Sequence, residues 1–274
     1  MRSGGSALNT ATALQRFGLD VAIAGKVGRD ALGDFLLALC DERGLDRGAV
    51  AQDPDAPTAA TIVLVDHDGE QTFLHVPGAN GALRADDLDH ERIFSGRALH
   101  VGGALVLPAL DGGPMASLLA EARSRGLLTS LDPAFDATGR WGRIEPCLPR
   151  VDLFSADLVE ARAVTGEEEP PSIARRLRAR GAGGVAVKLG PDGCYAAGES
   201  FEGYVEAVPV RAVDGTGAGD AFAAALLFGR LNGWPLERAA RLANAAGALA
   251  TTAVGATEGV RGMDETLAAA RLQA

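Results

Sequence analysis

Residues 213–222 read V-D-G-T-G-A-G-D-A-F, and two kinds of chemistry meet in them. The apolar run that follows, through Leu231, has the composition and period of a helix. Gly217, Ala218 and Gly219 would open that helix, where unpaired N–H groups and the positive dipole end favour an anion. Small residues there let a phosphoryl group come close. Asp220 falls in the first turn beside the same spot. An ionised carboxylate only accepts hydrogen bonds, so it can orient a hydroxyl and take its proton. A plainer reading also fits these ten residues: a charge-favoured first-turn aspartate behind a flexible loop.

Two familiar phosphate loops do not fit. A P-loop needs G-x-x-x-x-G-K-[ST], and neither Lys26 nor Lys188 follows such a run. A dinucleotide-binding turn needs G-x-G-x-x-G at the start of a βαβ unit. Gly215, Gly217 and Gly219 give G-x-G-x-G close to the end of the chain, and no strand precedes Glu237 where a ribose acid would stand.

Other stretches carry polar groups at turns and helix starts. G-G-S-A-L-N-T-A at 4–11 sets Gly4 and Gly5 before a helix and then Asn9, whose amide both donates and accepts. K-V-G-R-D-A-L-G at 26–33 opens the next helix. S-A-D-L-V-E at 155–160 puts Asp157 and Glu160 three apart, on one helix face and able to hold a metal-bound water; Asp157 as a simple N-cap fits equally well. K-L-G-P-D-G at 188–193 is a strand and turn, and A-N-A-A-G-A at 243–248 is a helix face small enough for a flat ring.

The elements that must position these residues alternate. Strands are expected at Val21–Ala24, Ala98–Val101, Leu127–Leu131, Val151–Phe154, Val185–Leu189 and Tyr204–Val210. Helices are expected at Asn9–Phe17, Ala31–Arg43, Pro114–Arg125, Asp157–Thr165, Ser172–Arg180, Gly219–Leu231 and Leu236–Thr251. This is the pattern of a mostly parallel sheet covered by helices. Thr58–Val65 and Gln71–Val76 flank D-H-D-G-E, whose Asp68-Gly69 suits a hairpin turn; the pair reads as a lid or as an edge hairpin of the main sheet.

Composition narrows the classes. A net charge of −10 argues against a nucleic-acid surface. No apolar run approaches the ~20 residues of a membrane helix, and the first residues lack the apolar core of a signal peptide. Cys40, Cys147 and Cys194 form no C-x-x-C pair, and the four histidines do not cluster as zinc ligands. A cytoplasmic protein with idle thiols is expected.

Taken together and in this order, G-G-x-x-x-N-x-A and D-G-T-G-A-G-D-A-F resemble the signatures of the ribokinase-like (PfkB) carbohydrate kinases, from Gly4 to about Ala256. The resemblance implies one domain over residues 1–274, a three-layer α/β/α sandwich with a mostly parallel central sheet, and a small β lid that includes the hairpin at 57–78. It implies transfer of the ATP γ-phosphoryl group to a hydroxymethyl of a small sugar. Asp220 would be the base and a sugar contact, with Gly217, Ala218 and Gly219 as the anion hole. Gly4, Gly5 and Asn9 match sugar contacts. Lys188, Gly190, Gly193, Thr216, Gly217, Gly219 and Asn244 match the ATP side. Glu160, assisted by Asp157, would hold Mg²⁺ through water, and Asp214 with Thr216 would border a monovalent cation such as K⁺. Lid strands that pair between two copies would give a homodimer.

Two departures stand out. The family usually shows N-x-x-E where this chain has Asp157-Leu158-Val159-Glu160, which adds charge and removes a donor. Relatives usually carry a first apolar strand, a sugar-binding aspartate and a lid strand before the paired glycines. The alternative these departures leave is a sugar- or nucleotide-binding protein of the same fold that does not turn over.

Overall fold

Leu153 and Phe154 are neighbours in the chain, yet they enter different hydrophobic clusters. The same split separates Val185 and Val187 from Ala186, and Tyr195 and Ala197 from Cys194 and Ala196. Side chains on a strand alternate between its two faces, so these runs can be apolar throughout only if both faces are covered. They are.

The computed structural model describes residues 2–65 and 71–273; the Asp68-Gly69 turn expected in the hairpin lies outside them. In chain order the helices are α1 (Ser6–Arg16), α2 (Ala31–Glu42), α3 (Gly78–Gly81), α4 (His90–Ile93), α5 (Gly113–Ser124), α6 (Leu158–Thr165), α7 (Pro170–Ala179), α8 (Ala218–Leu231), α9 (Leu236–Ala250) and α10 (Met263–Ala269). The strands are β1 (Ala22–Gly28), β2 (Asp46–Asp53), β3 (Ala60–Val65), β4 (Gln71–Val76), β5 (Ala98–Ala104), β6 (Leu128–Pro133), β7 (Leu153–Asp157), β8 (Gly184–Lys188), β9 (Cys194–Ala197) and β10 (Glu202–Val205).

A six-stranded sheet runs in the order β10-β9-β8-β7-β6-β5. Its pairs from β5 to β8 are parallel, and β8-β9 and β9-β10 are antiparallel. One face carries Leu118, Leu119, Ala161, Ile173 and Leu177 from α5, α6 and α7; the other carries Leu14, Phe222, Leu226, Leu242 and Leu267 from α1, α8, α9 and α10. This is the expected three-layer α/β/α arrangement with a mostly parallel sheet.

Three local differences from the sequence reading have physical causes. Val21–Ala24 corresponds to β1, but β1 pairs only with β2, in a separate parallel two-stranded sheet. Its outer edge and that of β5 border a groove of about 780 Å³ lined by Val21, Ile23, Leu99, His100, Leu227 and Leu231. The expected strand Tyr204–Val210 ends at Val205, because its partner β9 begins at Cys194 and offers no further ladder. The hairpin β3-β4 pairs in register from Ala60↔Val76 to Val65↔Gln71 and forms a sheet of its own. The main sheet does not include it.

The base of that hairpin is held by one carboxylate. Asp30 caps α2 by accepting from the Gly33 N–H at 2.8 Å, and it also accepts from the Thr58 N–H at 2.7 Å and the Thr58 hydroxyl at 2.7 Å. Thr58 in turn accepts from the Gly28 N–H at 2.9 Å. The hydrogen bonds from Thr58, then from Gly33, hold the Asp30 carboxyl below its ordinary range. Asp30→Ala removes the cap and the clamp together, and is expected to speed hydrogen exchange across residues 54–60 and lower Tm, with exchange in β6–β8 unchanged. Unaltered exchange at 54–60 would show that the hairpin is anchored elsewhere.

Candidate active site

The glycine-rich loop is held from the other end of the chain. The Val213 and Asp214 N–H groups donate to the Thr251 carbonyl at 2.7 and 3.1 Å, and Asp214 accepts from Gly255 N–H at 2.8 Å. The other Asp214 oxygen accepts from the N–H and the hydroxyl of Thr216, at 2.9 and 2.7 Å, closing a local turn. Burial alone would raise the Asp214 carboxyl, but those donors bring it below its ordinary value. It stays charged.

Gly217 is the N-cap of α8 with φ 77°, a left-handed conformation that costs glycine nothing, and a Cβ there would collide with the Ala256 carbonyl. The first turn then keeps donors free. Ala218 N–H turns back to Gly215 at 3.2 Å and Ala221 N–H donates to Gly217 at 2.9 Å, while the Gly219 N–H has no backbone acceptor. Residues 217–219, where the anion hole is expected, form a half-buried helix start with the Ala218 donor partly engaged.

Asp220 follows at once, in the first turn of α8. Asn9, buried on α1, donates its amide N–H to Asp220 Oδ2 at 2.8 Å, and the Thr10 hydroxyl reaches the Asp220 carbonyl at 3.4 Å. Burial pushes the Asp220 carboxyl up to about 6; the Asn9 donor and Lys188 oppose that rise, and the Asp132 charge adds to it. The Asn9 carbonyl oxygen Oδ1 is buried with no partner. Side chains placed at Gly4 or Gly5 would meet nothing within 4 Å, so the chain start above Asn9 borders open space. Asn9 and Asp220, 211 positions apart, thus form one polar corner with an unused acceptor.

Behind α8 lies a buried charge cluster. Lys188, the last residue of β8, donates to both oxygens of Asp132 at 2.8 and 3.0 Å. Burial works against its ammonium, but Asp132, Glu160 and Asp220 outweigh it and keep it protonated. Glu160 is buried and pushed up to about 7, chiefly by burial, with Lys188 pulling it down. Asp157 and Glu160 form a reciprocal cap: Glu160 N–H donates to Asp157 at 2.8 Å and Asp157 N–H to Glu160 at 2.9 Å. One oxygen of each carboxylate is spent on α6, and one of each remains. Among the described residues no group of three or more His, Cys, Asp or Glu could hold a metal.

On the expected nucleotide side the geometry is more structural than the sequence reading allows. Asn244 donates its amide to the Val205 and Glu206 carbonyls, both at 2.9 Å, tying the end of β10 to α9. Any ring lying there would meet the small face of α9 and not free amide donors. Gly190 and Gly193 bound a short turn in which Leu189 N–H donates to Gly193 at 2.8 Å. Lys188 leaves that turn and points to Asp132.

Three contributors were not singled out in the sequence. Asp132 sits in L-D-P, which reads as a strand end. Ser6, at the start of α1, is the smallest of the influences that pull the Asp220 carboxyl down. His100 accepts or donates at 3.1 Å to the Ser130 hydroxyl, its other nitrogen is buried without a partner, and burial, then Lys188, lowers its pKa to about 4. It is a neutral imidazole that lines the groove beside β5.

Comparison with known proteins gives the family and the fold. The family model described as pfkB family carbohydrate kinase matches residues 1–261. Fructokinase-1 of Zea mays is 31% identical over 271 residues, covering 92% of this chain and 83% of that protein. The 2-dehydro-3-deoxygluconokinase of Bacillus subtilis is 30% identical over 269 residues, covering 93% and 82%. Among solved structures, Arabidopsis thaliana ribokinase with ribose and ATP superposes with a TM-score of 0.85 at 24% identity, over 98% of this chain and 88% of that one. Fructokinase of Vibrio cholerae with fructose, ADP and calcium gives 0.83 at 25% identity, over 97% and 91%. The chain belongs to the pfkB family of carbohydrate kinases, with the ribokinase-like fold.

Proposed function

We propose that this carbohydrate kinase transfers the γ-phosphoryl group of ATP to a hydroxymethyl of a small sugar, with Asp220 as the base. The observation that carries the reading is the Asp220 carboxylate, desolvated to a pKa of about 6 and held by Asn9 one residue past an anion-ready helix start. A sugar hydroxyl between Asn9 and Asp220 would donate to the carboxylate. Its oxygen forms the new bond to phosphorus, the bond from phosphorus to the ADP oxygen breaks, and the proton passes to Asp220. The transition state is loose, so position and charge matter more than basicity. The α8 N–H groups at Gly217 and Gly219 face charge on the phosphoryl oxygens.

Mg²⁺ accompanying the nucleotide fits the donor set. The free oxygens of Glu160 and Asp157 cannot enclose a cation by themselves, which suits contact through water. Bound, the ion supplies charge neutralisation for the phosphates. K⁺ beside Asp214 and Thr216 is consistent with a carboxylate that stays ionised. ATP binds along the turn at Gly190–Gly193 and the α9 face near Asn244.

The relatives named above are described as acting on fructose and on 2-dehydro-3-deoxygluconate, which supports a ketohexose or a keto-sugar acid as substrate. The hairpin is proposed as a lid over that sugar. Ile62, Leu64, Leu74 and Val76 are all at least half exposed, an apolar surface suited to cover a substrate and to pair with a second copy. No helix among the described residues is long and apolar enough to cross a membrane, and buried free Cys40, Cys147 and Cys194 suit a reducing cytoplasm.

A second reading, binding of sugar or nucleotide without turnover, has one observation in its favour. The facing edges of β1 and β5 border an unfilled groove. An extended strand seated there would join the two sheets alongside α1. A screen of MgATP with ketohexoses, pentoses, keto-deoxy sugar acids, inositols and nucleosides, read as phosphorylated product, separates the readings.

For the active kinase, Asp220→Asn is expected to lower kcat by ~10²–10⁴ while ATP still binds. The same substitution is expected to raise Tm near neutral pH. With a folded pKa of about 6, above the ordinary carboxylate value, ionised Asp220 costs the folded state stability above that pH, and the cost fades as pH falls. Near-normal turnover would remove Asp220 from the mechanism, and an unchanged Tm would mean its charge is well solvated.

A further inference from the structure

The geometry points to Lys188 as the cation that meets the transferring phosphoryl group, and to Asp132 as the residue that positions it. This rests on the kinase reading and moves Lys188 from the nucleotide-side turn to the reacting end of the nucleotide.

Lys188 ends β8, and the chain then turns away through Gly190–Asp192. The side chain does not follow the turn. Its Nζ lies between the two oxygens of Asp132 and the first turn of α8, and a Cβ on Gly219 would stand 3.1 Å from that Nζ. The ammonium therefore lies against Gly219, whose N–H has no backbone acceptor, and next to the residue that precedes Asp220. Glycine at 219 leaves open the space in which the ammonium and the helix start meet.

Donor arithmetic gives the ammonium a vacancy. It carries three N–H groups, and Asp132 takes two. Among the described residues no other acceptor lies within hydrogen-bond distance of Nζ. The side chain is 15% exposed against 5% for Asp132, so the outward side of the pair is the lysine. A free N–H on a charged donor beside a helix start is matched by a phosphoryl oxygen.

A purely structural pair is the weaker explanation. A buried ion pair costs desolvation that well-packed apolar residues avoid, so it adds little stability for its presence. Here it adds position: Asp132 pins a flexible side chain at one place. A phosphoryl group arriving beside Asp220 and Asp132 meets two carboxylates, and Lys188 offsets that repulsion where charge builds on the equatorial oxygens. As the sugar oxygen bonds to phosphorus and the ADP oxygen leaves, the proton goes to Asp220 and the third Lys188 N–H tightens on one equatorial oxygen.

The test uses Lys188→Met combined with Asp132→Asn, which removes both charges of the pair together, alongside Asp132→Asn alone. Each is compared with wild type in sugar phosphorylation and in calorimetric binding of MgADP with and without aluminium fluoride, a mimic of the transferring group. The double variant is expected to lose ~10²–10³ in kcat with KM for ATP changed less than about threefold. It should bind MgADP as wild type does and lose the extra tightening given by aluminium fluoride. Asp132→Asn alone, with the ammonium kept but unpinned, should fall between. The proposal is overturned if the tightening survives in the double variant, or if MgADP affinity and KM for ATP worsen in step with kcat, which would mark Lys188 as a ground-state nucleotide contact. Absence of sugar phosphorylation in the wild type itself would instead overturn the kinase reading.

Discussion

The site depends on keeping one carboxylate dry. Asp220 is placed where a helix start favours negative charge, yet burial opposes its ionisation, and the balance leaves it near a pKa of 6. A base in that range is deprotonated at neutral pH and still able to accept a proton. The two pressures oppose each other: a solvated Asp220 would titrate lower, and one buried without Asn9 and Lys188 would hold its proton more tightly.

Packing sustains that balance from several directions. Alpha-helix α1 lies against α8 and brings Asn9 to Asp220, while α8 and α9 pack over the length of both helices with alanines at the contact, Ala224, Ala225, Ala239, Ala240 and Ala243 among them. The loop that enters α8 is stitched to Thr251 and Gly255 after α9. From behind, the C-terminal ends of β6, β7 and β8 supply Asp132, Asp157 and Lys188. In open α/β sheets, ligands gather at those strand ends, and here the chemistry-bearing residues of three adjacent strands converge there.

Much of this was legible in the sequence where local rules decide. The helix openings and the long amphipathic helices follow period and capping, and most bounds agree within two or three residues; Asn9–Phe17 begins three residues earlier, at Ser6. The motif at 213–222 gave the helix start and the acid. What escaped depends on tertiary partners. D-R-G-A-V-A-Q-D carries too few β-branched residues to announce β2, which exists because β1 pairs with it. Cys194–Ala197, C-Y-A-A, is too short a run to announce a strand and is made one by pairing with β8. Asp132 looks like any strand-terminal acid until Lys188 crosses from β8 to meet it. Of the two readings of Asp157, the N-cap of α6 is what its contacts show, and one of its oxygens takes no part in it.

The central claim is that a desolvated Asp220 takes the sugar proton. The most direct measurement is the pH dependence of kcat/KM for the sugar, at saturating MgATP, from about pH 5 to about pH 8. The account predicts an acid limb: activity falls as pH drops through about 6, where Asp220 becomes protonated. A profile flat across that range, with the protein folded throughout, would contradict it.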